Sequence, residues 1–252
     1  MIALASLLLY SNLSFGFDQT HKKWTDVLSN YQTKTGLVKY SQLKKDIKVN
    51  SKHAFTNYLS DLQSLKIKDF KLMSKNDQMA FLINSYNAFT IKLILDHYPT
   101  KSIKKIGGFF SSPWKLEFFS LFEGQIKALD PIEHEWLRPK YKDYRIHAAV
   151  NCASISCPPL RFEAYTGTKL DQQLSDQMTL WLKDQTRNQI SKDNSTYKVS
   201  KIFDWYKEDF ETWGGGILNV ISKHLDLKLS QDQKTKARIS YLNYDWSLNE
   251  SK

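Results

Sequence analysis

The sequence predicts an α+β domain: a mainly helical shell around a small mixed or antiparallel sheet, with one long buried helix. Three observations predict it. Residues 75–97 carry apolar side chains on every helical face, as a buried helix does. The stretches 18–31, 52–65 and 169–186 repeat apolar residues on one face only, as shell helices do. Extended segments are short and few, at 145–150, at 197–200 and within 238–249. The length of 252 residues suits one large domain, and 41% hydrophobic and 13% aromatic content supplies a core and excludes a disordered chain.

In chain order, residues 1–16 read as a signal peptide preceding a single domain over 17–252. Ile2 to Tyr10 is an uncharged apolar run, too short for a bilayer span of about 20 residues. Ser14-Phe15-Gly16 puts small residues at a signal-peptidase site. No Lys or Arg precedes the run, which leaves the true start of the signal open. The expected location is periplasmic or secreted, and no later stretch is apolar enough for a transmembrane span.

The first helix, over 18–31, buries Trp24, Val27, Leu28 and Tyr31. A turn and a short extended piece follow over 35–40, then a helix over 52–65 with Phe55, Tyr58, Leu59 and Leu62 on one side. Ser74 and Asp77 have capping-box spacing, with Asp in place of Glu or Gln, and open the buried helix. Asn84 and Asn87 lie on one face in its middle. Buried amides without partners cost about 1–3 kcal/mol each. They therefore either bond loop backbone or line a pocket.

Residues 101–127 are rich in Gly and aromatics and predict a hairpin or lid-like loop. Asp130-Pro131-Ile132-Glu133 reads as a helix start, with Asp130 as cap and Glu133 in a capping role; His134 has no such explanation. The helix at 169–186 presents a core stripe of Leu170, Leu174, Met178, Trp181 and Leu182. A strand at 197–200 leads into a helix at 201–213, which Gly214-Gly215-Gly216 breaks before another at 217–225.

The most informative segment is 145–161. It holds both cysteines and collects an imidazole, an amide, hydroxyls and a guanidinium within 17 residues. Arg145 to Val150 reads as a short buried strand, and Pro158-Pro159 prevents a regular element from following. Residues 151–157 thus form a loop at the end of a core element, where function is commonly placed. Cys152 and Cys157 are close enough in sequence to form a disulfide, but so small a loop gains little from closure. A free thiol or a redox pair stays open.

Five segments resemble the domain-of-unknown-function 547 family. They are Ala80 to Thr90, Ile132-Glu133-His134, Arg145 to Arg161, Lys201 to Phe210, and Tyr244 to Asn249. Leu82 stands where the family has Trp, a change of packing. The resemblance spans about 20–249 and implies a fold and a site, but no reaction.

Two functional readings follow. The first is a cysteine-dependent hydrolase or transferase acting on an envelope or extracellular substrate. Cys152 is its nucleophile and His147 its base, with Asn87, Asn84 or Asp245 orienting the imidazole. The second is a non-catalytic binding module for an anionic or glycan ligand. Its candidate residues are Asn84, Asn151, Ser156, Arg161, Asp245 and Asn249, with Arg161 suited to a bidentate anion contact. Asn84, Asn87, His147, Cys152 and Asp245 are expected around one pocket.

His134, His147, Cys152 and Cys157 have zinc-ligand chemistry, but their spacing matches no common zinc pattern. No metal and no cofactor is implied. The partner class is a small-molecule, peptide or glycan ligand. A net charge of +10, none of it in 1–16, also allows an anionic envelope polymer. The lysines are scattered rather than blocked, so no specific nucleic-acid site is implied.

Overall fold

The computed structural model describes residues 16–108 and 111–251. The signal-peptide expectation, apart from Gly16, and Phe109-Phe110 lie outside the described residues.

Helix α1 (Lys22–Tyr31) turns Trp24, Val27 and Leu28 inward. Helix α2 (Tyr40–Val49) was not legible beforehand, because it buries only Tyr40 and Leu43. Helix α3 (Ala54–Ser64) buries the four predicted side chains, and Tyr58 stacks on Trp24 at 5.6 Å. Helix α4 (Ile67–Leu72) contributes Phe70.

Helix α5 (Lys75–Asp96) is buried without a break from Met79 to Ile91. Its cap closes on Asp77 alone: the Ser74 hydroxyl accepts from the Asp77 N–H at 3.1 Å and donates to the Asp77 carboxylate at 2.6 Å. Each large apolar side chain buried on this helix contributes roughly 1.5–3 kcal/mol, and the main core forms around it.

After α5 the chain makes short 3-10 turns at Ile103–Lys105, Pro113–Lys115 and Phe122–Gly124. A single bridge between Leu121 and Ile126 stands in place of a full hairpin. Helix α6 (Leu129–Pro131) runs directly into a π-helical turn, Ile132–Leu137, and then α7 (Arg138–Tyr141). This corrects the capping expectation. Ala128 is the cap, Asp130 lies inside the helix, and the wider π turn buries Glu133.

The predicted strand at 145–150 is a helical turn, α8 (Ile146–Ala149). The physical reason is local. The Asp143 carboxylate accepts the Arg145 N–H at 2.9 Å, and the Asp143 carbonyl accepts the Ile146 N–H at 3.2 Å, which starts a helical turn. A short apolar run does not by itself distinguish the two states.

Helix α9 (Leu170–Lys183) packs against α8. The sheet is mixed, as one of the two expected forms: β1 (Gln189–Ile190) pairs antiparallel with β2 (Thr196–Val199). Between β2 and the last strand the predicted helix at 201–213 divides into α10 (Ile202–Trp205) and α11 (Lys207–Gly214), with Tyr206 non-helical at the join. Helix α12 (Ile217–Leu225) and α13 (Gln231–Lys236) follow, the latter with a full Ser230/Gln233 capping box. Strand β3 (Arg238–Tyr241) then pairs parallel with β2. The sheet therefore carries none of 145–150.

Two buried clusters result. One surrounds α5; the other gathers Trp181, Tyr197, Phe203 and Phe210. Ile146 and Ala149 of α8 belong to the first and Ala148 to the second. Among the described residues no helix is long and apolar enough to cross a membrane.

Candidate functional site

A cavity of about 250 Å³ opens along this seam. It is lined by Trp114, Trp205, Tyr206, Tyr244 and Trp246, by Asp130, Glu133 and His134, and by His147, Cys152 and Cys157. Trp205 and Trp246 stack at 5.6 Å, and Tyr244 packs on both. Trp205 is 45% exposed, so the stack presents an open aromatic face at the mouth.

The loop at 151–157 is fixed by amides. The Asn87 side chain donates to the Ala149 carbonyl at 2.9 Å and accepts from the Asn151 N–H at 2.8 Å. Asn151 donates to the Pro158 carbonyl and accepts from the Ala153 N–H, both at 2.8 Å. That last bond accompanies a left-handed Ala153, φ 60°, an unfavourable conformation for a residue with a Cβ. Asn249 accepts from the Tyr40 hydroxyl at 2.9 Å and donates to Asn151 at 3.3 Å, which ties α2 to the loop. Cys152 and Cys157 are joined in a disulfide, and the Tyr244 hydroxyl lies 3.2 Å from each sulfur.

Behind the aromatic wall is a buried charge cluster. His147 Nε2 lies 2.8 Å from Asp209 Oδ2. Arg138 donates to both Asp209 oxygens, from Nε at 2.6 Å and Nη2 at 2.8 Å, and its Nη1 reaches His134 Nδ1 at 3.0 Å. Burial opposes the Asp209 charge, but the hydrogen bonds from Arg138 and His147 and the charge of Arg138 bring its carboxyl down to about 2. Burial also holds His147 below its usual value, against the pull of Asp209.

An ionised carboxylate only accepts, so the neutral ring carries its proton on Nε2. Its Nδ1 is then a bare acceptor, buried and without a partner among the described residues. Tyr206 stacks on His147 at 3.9 Å and donates to Glu133 at 2.6 Å. The π-helical turn brings Glu133 and His134 to the cavity, in keeping with the frequent placement of such turns at functional sites.

Of the residues singled out beforehand, His147 and Cys152 meet at the cavity. Asn84, Asn87 and Asp245 do not line it, which corrects the expected convergence. Asn84 pairs with both backbone groups of Tyr165, at 2.7 and 3.0 Å. Asn87 acts one layer behind the loop. Ser156 accepts from the Asp245 N–H at 2.9 Å, and the exposed Asp245 carboxylate accepts from Ser247. Arg161 is engaged by Glu163 at 2.7 Å, away from the cavity. The imidazole is oriented by Asp209, not by an Asn or Asp245. Asp209 falls within the Lys201–Phe210 segment already noted, but nothing local marked it. Among the described residues no group of three or more His, Cys, Asp or Glu is arranged to hold a metal ion.

Residues 70–182 match the family model described as "Protein of unknown function, DUF547". No curated protein and no solved structure matches the chain. The matched span includes α5, the π-helical turn and the loop at 151–157, and leaves Asp209, Tyr244 and Trp246 outside it. Over residues 70–182 the chain is thus similar to the DUF547 family, whose description assigns no activity.

Proposed function

We propose that the cavity is the ligand site of a binding module for a glycan-type, polyhydroxylated ligand of the cell envelope or extracellular space. The observation that carries this reading is the pairing of an aromatic wall, Trp114, Trp205 and Trp246, with the carboxylates of Asp130 and Glu133. Aromatic faces suit the apolar faces of sugar rings, while carboxylates accept from hydroxyls. No Lys or Arg is among the described lining residues, so the cavity disfavours an anionic ligand despite the chain's net charge of +10. An anionic envelope polymer would instead meet the outer basic surface.

Titration with soluble chito- and cello-oligosaccharides, read by tryptophan fluorescence, tests this. Saturable quenching is expected, weakened about tenfold or more in Trp205→Ala. A panel that leaves the emission unchanged would remove the proposal.

One observation favours a second reading, the cysteine-dependent hydrolase or transferase. His147 is held by Asp209 with Nδ1 left without a partner, as a general base would be. No hydrogen bond joins His147 to either sulfur, and Cys152 is in a disulfide, so this reading requires the reduced protein. In that form, Cys152 is expected to alkylate well below the ordinary thiol range, and His147→Gln to move the profile upward. An unmoved profile would exclude His147 as its base.

A further inference from the structure

The loop that carries the Cys152–Cys157 disulfide is also held by bonds that do not involve the sulfurs. Independently of the sulfurs, the Ile155 N–H bonds the Ser247 carbonyl at 2.8 Å and the Ser156 N–H bonds the Asp245 carbonyl at 3.2 Å. The Cys157 N–H bonds the Ser154 carbonyl and the Asn249 N–H bonds the Ala153 carbonyl, both at 3.1 Å. The Asn87 and Asn151 amides fix the other end. A ring closed across five positions also removes little entropy from the unfolded chain. A bond that adds little to folding, placed in the wall of a cavity, calls for another explanation.

Its two ends differ chemically. Cys152 is partly exposed at the cavity, while Cys157 is 1% exposed. The Cys157 sulfur accepts the Cys152 backbone N–H at 3.1 Å, a donor that the Cys152 sulfur lacks, while the Tyr244 hydroxyl lies 3.2 Å from both sulfurs. The Arg187 guanidinium, paired with Asp184, donates to the Cys157 carbonyl at 2.5 Å and holds that end of the loop in place. A hydrogen-bond donor aimed at a sulfur stabilises its thiolate. The accessible sulfur is thus the one to be attacked, and the buried one is the stabilised leaving group.

We propose that Cys152–Cys157 is a redox-active pair that undergoes thiol–disulfide exchange with a small thiol or dithiol entering the aromatic cavity. A thiolate of the incoming molecule attacks the Cys152 sulfur. The S–S bond breaks, its electron pair leaves on Cys157, and a mixed disulfide forms at Cys152. A second thiol, from the same or another molecule, displaces Cys152. Two electrons pass from the thiols to the protein pair, the two thiol protons end on Cys152 and Cys157, and the substrate leaves as its disulfide. The exchange stands apart from the glycan reading, because it is measured without any saccharide.

The test uses dithiothreitol on the folded protein and Ellman's reagent on two single-cysteine variants. Reduction is expected to be complete under native conditions, with tryptophan emission and circular dichroism retained. Cys152 in Cys157→Ser is expected to react about tenfold or more faster than Cys157 in Cys152→Ser. Tyr244→Phe should slow native reduction about tenfold, through loss of the hydroxyl that lies 3.2 Å from both sulfurs and can donate to the thiolate as it forms. A disulfide that reduces only after unfolding, or two variants reacting at equal rates, would overturn the proposal. The wild-type reduction decides the question even if a variant fails to fold.

Discussion

At the scale of single residues, Asp209 and His147 make stability depend on acid in a defined way. The Asp209 carboxyl sits at about 2 in the fold against 3.8 unfolded, with its side chain 4% exposed. Folding lowers it, so its contribution of about 2 kcal/mol is complete above about pH 4 and is lost as the pH falls towards 2. His147 is also lowered, from 6.5, so it stays neutral in the fold while the unfolded chain takes up a proton. Its stabilisation therefore declines as the pH falls below 6.5. Both windows have the same sign: stability rises with pH. Thermal melts across the acid range should show two declines. Asp209→Asn should remove the lower one and reduce the melting temperature at neutral pH. His147→Gln should only shrink the upper one, because burial also brings His21 and His224 down to about 4. A lower decline that survives in Asp209→Asn would show that the charge cluster is not its source.

At the scale of elements, α5 is a rigid bar whose two amides do different work. Asn84 fastens the Tyr165 segment and Asn87 fastens the site loop. Alanine at either position orphans one buried N–H and one buried carbonyl, at a cost of about 2–4 kcal/mol in urea unfolding. Only Asn87→Ala should also disturb ligand titration and disulfide reactivity, since only it touches Asn151. Equal effects on the cavity from both variants would contradict this division of labour.

The same elements explain what was legible in the sequence. Helix α5 could be read because its apolar residues fill every face and Ser74 marks its start. The run Ile146 to Ala149 could not, because four residues are too few to show a period, and the deciding contact, Asp143 with Arg145, is a turn bond. Glu133 fitted a capping pattern that the π-helical turn then overrode. Asp209 looked like an ordinary helix carboxylate. Its role arises from contact with Arg138 and His147, 71 and 62 positions away, which no local pattern encodes.

At the scale of the whole molecule, the site depends on how two cores meet. The turn α8 is their common wall: Ile146 and Ala149 face the α5 cluster, and Ala148, 1% exposed, faces the cluster of Trp181 and Phe203. The cavity draws Val150 from one side and Ile202 from the other, so its shape is set by the spacing of the clusters rather than by either alone. Ala148→Leu tests this directly. Three added carbons have no space in a packed seam and should destabilise by about 1–3 kcal/mol. The clusters must separate to admit the new side chain, and the aromatic wall and the carboxylates should part with them. Urea unfolding should therefore shift to lower midpoint, and oligosaccharide titration should weaken beyond what lost stability explains. Leu182→Ala, within the second cluster but away from the cavity lining, is the control. It should cost about 2–5 kcal/mol and leave the binding of the folded fraction unchanged. If both variants weaken binding only in proportion to the unfolded fraction, the seam is a place where the cavity happens to lie and not what shapes it.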